Sequence, residues 1–141
     1  MRNLLALSLL AFSLVGCQNM QKKFRVIRNE SLIKATAAKE AAKLPPSLTS
    51  EQRVLIEKYE RFRVRILLYM GLAPTASWEE LRAALIKEAR MPSGTSWAEI
   101  LKSPVVADAL TEEKRLRYSK AFGLPPEATW EQIKEAIEKA R

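Results

Sequence analysis

Residues 61–89 align with residues 113–141 without a gap, giving ten identities in 29 positions at an offset of 52. The matches are Arg63/Arg115, Arg65/Arg117, Gly71/Gly123, Leu72/Leu124, Pro74/Pro126, Ala76/Ala128, Trp78/Trp130, Glu79/Glu131, Ala84/Ala136 and Lys87/Lys139. A partial third copy reads Ser93-Gly94-Thr95-Ser96-Trp97-Ala98-Glu99-Ile100. A chain that repeats a segment of this length builds like units and buries their apolar faces against one another. Such units stack within one chain or between chains, so self-association is a possible outcome.

The repeated segment spells a helix, a loop and a second helix. Gly71 and Gly123 follow apolar helical stretches and suit the left-handed position that closes a helix. Pro74 and Pro126 stop the helix from continuing. Ser77, Ser96 and Thr129 then each precede a Trp and stand three residues before Glu80, Glu99 and Gln132, the spacing of a capping box. Ala76 with Leu81 and Ala128 with Ile133 occupy the hydrophobic-staple positions on either side. Leu55, Tyr59, Phe62, Ile66 and Tyr69 recur at three- and four-residue steps, which predicts a helix from about Ser50 to Met70. Trp78, Leu81 and Leu85 form a second stripe, and Trp130, Ile133 and Ile137 a third. Ser103-Pro104 reads as a cap and first helical residue of a segment running through Val106, Leu110 and Leu116 towards Phe122. Upstream, Ser31–Leu44 is rich in Ala, Lys and Glu and reads as a helix capped by Ser31 and ended by Pro45-Pro46. No stretch alternates at period two between turn signals, so the expected fold class is all-α, a small helical domain built from an internal helix-loop-helix repeat.

Composition matters mainly for the chemistry it removes. With no His, the chain lacks the usual general base and the usual zinc ligand. Its one cysteine, Cys17, rules out an intramolecular disulfide framework and a Cys-rich metal site. Glu79 with Glu80 and Glu112 with Glu113 are sequence neighbours, so on a helix they diverge instead of facing one another as glycosidase carboxylates do. Asp108 is the sole aspartate, and no Gly-rich phosphate loop or serine-nucleophile elbow is present. A hydrolase of Ser-Lys type is the remaining enzymatic alternative, but Ser119-Lys120 has the wrong spacing and Ser31 with Lys34 lies in the N-terminal segment. No enzyme activity, cofactor or metal is expected.

The first sixteen residues carry one charge, Arg2, followed by an apolar run from Leu4 to Val15 broken only by Ser8 and Ser13. This is the pattern of a secretory signal, and it is shorter than the roughly 20 apolar residues a spanning helix needs. It ends in Leu14-Val15-Gly16-Cys17, which resembles the lipobox of bacterial lipoproteins. The resemblance implies cleavage between Gly16 and Cys17, with diacylglycerol and a fatty acyl group such as palmitate on Cys17. Two or more chains make membrane attachment stable. In Gram-negative members of that class an Asp after the cysteine favours inner-membrane retention. Gln18 stands at that position here, which implies the outer membrane, facing the periplasm or the cell surface.

The resulting organisation is a signal peptide at 1–16, a lipidated cysteine and basic tether at 17–46, and a helical repeat domain at 47–141. Residues 18–46 hold seven Lys and Arg against Glu30 and Glu40, a net of +5, whereas residues 47–141 hold sixteen basic and fourteen acidic side chains, a net of +2. Most of the overall +8 therefore sits beside the lipid, where anionic surfaces attract it. As a free tether, these residues reach roughly 45 Å when helical and up to about 100 Å when extended.

Trp78, Trp97 and Trp130 are the candidate binding residues, since repeated aromatics can line a groove, although core packing is the plainer use of them. Arg61, Arg63 and Arg65 read as a solvated face, with Glu57 four residues before Arg61. Around Gly123-Leu124-Pro125 the helix, extended loop and helix is similar to nucleic-acid modules of the SAP type, which would imply a basic folded domain. The near balance of residues 47–141 argues against a nucleic-acid partner. The expected function is a lipid-anchored structural or protein-interaction module of the envelope. The alternative is a protein that binds peptidoglycan or another anionic envelope polymer.

Overall fold

The computed structural model describes residues 20–103, 106 and 110–141, and every regular element among them is helical. Residues 20–28 form α1. There follow α2 (Glu30–Ala41), α3 (Ser50–Tyr69), α4 (Trp78–Glu88), α5 (Trp97–Ile100), α6 (Glu112–Ala121) and α7 (Trp130–Ala140). The helix start expected at Pro104 and the aspartate Asp108 lie outside the described residues, as do Leu14, Val15, Gly16 and Cys17.

At the centre lies α3, and each of the three apolar clusters takes residues from it. Its N-terminal half supplies Leu55 and Ile56 to a cluster with Leu44, Tyr118, Ile133 and Ile137. Its C-terminal half supplies Ile66 and Leu67 to a cluster with Leu81, Leu85, Ile100 and Val106. A third side carries Val64 and Leu68 against Ile33 of α2. The stripe Leu55–Tyr69 thus describes only one face of this helix. The buried Val64 and Leu68 lie off that stripe because α2 covers them.

That contact changes the reading of the N-terminal segment. Ile33 and Ala37, four residues apart on α2, are fully buried, and α2 and α3 form an antiparallel hairpin closed by the buried Leu44 and the Pro45-Pro46 turn. Arg53 of α3 donates to the Pro45 carbonyl across that turn. The segment read as a basic, partly helical tether packs onto the fold from α1 onward. Ser31 does not cap α2 as expected; it lies within the helix, whose N-cap is Asn29. The Asn29 amide is turned back to donate to the Arg25 carbonyl at 2.7 Å, so it joins α1 to α2 and leaves α2 without a side-chain cap.

A buried carboxylate ties the middle of α3 to the turn end of α2. Glu60 is fully buried, and its Oε2 accepts from Arg63 Nε at 3.0 Å and Nη2 at 2.9 Å. Arg141 completes the site, donating to Glu60 Oε1 at 2.6 Å and to Glu40 of α2 at 3.1 Å. A buried charge is tolerated only when paired and hydrogen-bonded in this way. On the other side, Tyr118 of α6 donates its hydroxyl to the Leu55 carbonyl at 2.9 Å. Among the described residues no helix is long and apolar enough to cross a membrane.

Candidate functional site

The same loop geometry recurs three times. After α3, Leu72 N–H donates to the Leu67 carbonyl at 2.8 Å with Gly71 at φ 78°; after α6, Leu124 N–H donates to Ser119 at 2.8 Å with Gly123 at φ 67°. After α4, Met91 N–H donates to Ile86 at 3.0 Å, but here Arg90 takes the left-handed position at φ 55°. Each loop then turns so that Ala76, Thr95 or Ala128 donates to a carbonyl three residues back. An arginine thirteen residues upstream grips the carbonyl of that same residue: Arg63 on Ala76 at 3.3 Å, Arg82 on Thr95 at 2.6 Å and Arg115 on Ala128. Each arginine also pairs with a glutamate three residues before it, Glu60, Glu79 or Glu112. Only the second half of the middle copy, Ser93–Ile100, shows in the sequence, because Arg90 stands where the other two copies have glycine. The Glu-x-x-Arg spacing, with a capped Trp fifteen residues after the Arg, was the available signal.

Two of the three expected capping boxes close in full. Ser77 and Glu80 exchange bonds, as do Thr129 and Gln132, and a further box forms at Thr49 and Gln52. Ser96 accepts from Glu99 N–H at 3.4 Å, but the Glu99 carboxylate turns away to Lys102 at 2.8 Å. The backbone bond from Ser77 holds the Glu80 carboxyl below its ordinary pKa.

These caps deliver the three tryptophans to one place. Trp78, Trp97 and Trp130, all half-buried, line a single cavity together with Tyr59, Phe62 and Lys134. Trp78 stacks at a tilt on Tyr59 with centroids 5.4 Å apart and meets Trp97 edge to face at 5.7 Å. Its indole N–H reaches Glu138 at 3.3 Å. Lys134 lies 5.2 Å from the Trp78 ring centroid and 5.9 Å from that of Trp97, where a cationic ligand of an aromatic cage would sit. The cavity measures about 40 Å³, whereas small-molecule sites run from roughly 300 Å³ upward. It is too small for a sugar ring or a base. The Tyr59 hydroxyl is buried without a hydrogen-bond partner. Burial raises the pKa of that hydroxyl.

A second feature is polar. Lys58, Arg61 and Arg65 form one stripe of α3, and with Lys114 and Arg117 of α6 they line a groove of about 410 Å³. Arg61 pairs with Glu57, Arg65 with Glu30 at 2.7 Å and Arg117 with Glu51 at 3.6 Å, so the stripe is partly neutralised. Arg63 points elsewhere, into the Glu60 pair and the loop. The Arg65 contact holds the Glu30 carboxyl below its ordinary pKa. The three- and four-residue steps of Lys58, Arg61 and Arg65 were visible in the sequence. Their meeting with α6 is a tertiary fact.

The Ser-Lys pairs do not assemble. The Ser119 hydroxyl is buried without a hydrogen-bond partner while Lys120 is exposed. Ser31 and Lys34 both lie on exposed positions of α2. No group of three or more metal-binding side chains occurs among the described residues. No protein-family model matches the chain, and neither a curated protein nor a solved structure matches it.

Proposed function

We infer that this chain is a bacterial envelope lipoprotein whose helical module, built from three copies of one helix-loop-helix unit, makes structural or protein contacts close to the membrane. The observation that carries the reading is the tetrapeptide Leu14-Val15-Gly16-Cys17 at the end of an apolar leader, with the one cysteine of the chain at the acylation position. The docking of α1 and α2 adds to it. Only residues 18–21 separate Cys17 from Lys22, which pairs with Glu88 of α4, so the module stays within about 15–20 Å of an anchored cysteine instead of at the end of a long tether. Gln18 favours the outer membrane for this anchor. The test is Cys17→Ser in the full chain, followed by membrane fractionation. The reading expects an unprocessed, unlipidated precursor, and normal maturation with membrane retention would sink it.

The groove of Lys58, Arg61, Arg65, Lys114 and Arg117 favours a second reading, in which the partner is an anionic envelope polymer. Retention on purified peptidoglycan carrying its anionic polymers, compared at low and high salt, separates the two, because only polymer binding through the groove is salt-sensitive.

A further inference from the structure

Helix α1 has two unlike faces. One is docked: Lys22 pairs with Glu88 and lies 5.5 Å from the Tyr69 ring centroid, Arg25 donates to the Leu68 carbonyl at 3.4 Å, and Val26 packs on the Ile33, Val64 and Leu68 cluster. The other face carries Met20, Phe24 and Ile27, which are 57%, 51% and 68% exposed. Their spacing of four and three places them in one stripe along the helix. Lys23 and Arg28, both exposed, flank that stripe on its two sides. Three of the six exposed large hydrophobic residues described thus lie within residues 20–28 of α1, and Met20 stands three residues after Cys17 in the sequence.

We propose that α1 lies in the headgroup region of an anionic bilayer leaflet, with Met20, Phe24 and Ile27 among the upper acyl chains and Lys23 and Arg28 on lipid phosphates. The proposal rests on the reading of Cys17 as an acylated anchor. Three residues span at most about 11 Å, so an anchored Cys17 brings Met20 to the bilayer surface. An apolar stripe bordered by cations is the arrangement of an interfacial helix, and it matches a negatively charged lipid surface in charge as well as in polarity. Because the opposite face is pinned to α3 and α4, insertion of α1 fixes how the whole module stands on the membrane. The lipid is then the pivot and α1 the second point of contact.

The test uses the acylated full chain purified from membranes, carrying either Phe24→Cys or Leu116→Cys labelled with an environment-sensitive fluorophore. Leu116 is 43% exposed on α6. That helix bonds to α3 at Leu55, thirteen residues or about 20 Å along the helix from the α1 contact at Leu68. In vesicles of phosphatidylcholine with phosphatidylglycerol, the Phe24 label is expected to be quenched at least threefold less by aqueous iodide than the Leu116 label. Nitroxide-bearing lipids should quench the Phe24 label strongly. Lys23→Glu with Arg28→Glu, or vesicles of phosphatidylcholine alone, should raise iodide quenching of the Phe24 label towards that of Leu116. Equal iodide quenching at both positions overturns the proposal. Iodide protection without nitroxide quenching also overturns it, since a protein then covers the stripe. Metabolic labelling with palmitate reads the anchor separately: an acylated chain with an exposed Phe24 label fails the α1 proposal alone, and an unacylated chain removes both.

Discussion

Arg63, Arg82 and Arg115 each hold a loop carbonyl thirteen residues ahead and a glutamate three residues behind, so one side chain sets both the end of one helix and the entry to the next. The three are not equivalent in energy. Glu60 is fully buried and leans on Arg63, whereas the side chains of Glu79 and Glu112 are 79% and 70% exposed. Arg63→Ala therefore leaves a buried carboxylate with Arg141 as its one remaining cation partner, and is expected to cost about 3 kcal/mol in urea unfolding. Arg115→Ala is expected to cost clearly less. The left-handed positions give a second comparison. A Cβ on Gly71 would stand 2.7 Å from Arg25 Nη1, while one on Gly123 would meet nothing within 4 Å. Both Gly→Ala changes carry a strain of about 1–2 kcal/mol, and Gly71→Ala should be slightly the more destabilising because the Arg25 guanidinium must also move off its Leu68 carbonyl contact. By the same logic Arg90→Gly relieves strain at φ 55° and should stabilise the chain by up to about 1 kcal/mol, read as a rise in unfolding midpoint. The two glycines were legible as helix closers in the sequence. Arg90 was not, because its conformation is imposed by the loop and not by its residue type.

At the scale of elements, Ser77 and Thr129 close full capping boxes and Ser50–Tyr69 matches its apolar stripe, as the sequence leads one to expect. The segment expected to run from Pro104 through Leu110 to Phe122 is instead broken at Leu110, and Thr111 caps a separate helix, α6. The role of α2 was hidden, because a helix of Ala, Lys and Glu reads as solvated and only Ile33 and Ala37 mark the line it buries. Polar contacts at these helix ends carry a pH signature. Glu30 beside Arg65, Glu40 beside Lys43, Glu80 at its cap and Glu112 beside Arg115 all titrate below the ordinary 4.5. A carboxyl lowered in the folded state contributes stability above pH 4.5 and loses it as pH falls through the lowered value. At the other extreme, burial pushes the Tyr118 hydroxyl from 10.0 up to about 12, so its contribution is complete below pH 10 and lost as pH rises towards 12. With no His in the chain, the thermal midpoint is expected to be flat between about pH 6 and pH 9 and to fall on both sides. A sharp inflection near neutral pH would contradict that account.

For the whole molecule, the net +8 separates into regions with different uses. Lys22 and Arg25 hold α1 to the body, Lys43 pairs with Glu40 at 2.9 Å, and Lys23 and Arg28 remain on the outer side of α1. The basic groove between α3 and α6 could not be read from residues 47–141 as a balanced sum, because charge along the chain does not reveal which helices meet. The tryptophans were legible as a set through their shared place in the repeat. That they converge on a space of about 40 Å³ with Lys134 over two of the rings depends on how α4, α5 and α7 pack. A membrane-held contact module stands or falls on Cys17, and the most direct measurement is the intact mass of the mature chain extracted from membranes. The account predicts a chain beginning at Cys17 with the mass of a diacylglyceryl group and an amide-linked acyl chain added. A chain that retains residues 1–16 with a free Cys17 thiol would contradict it.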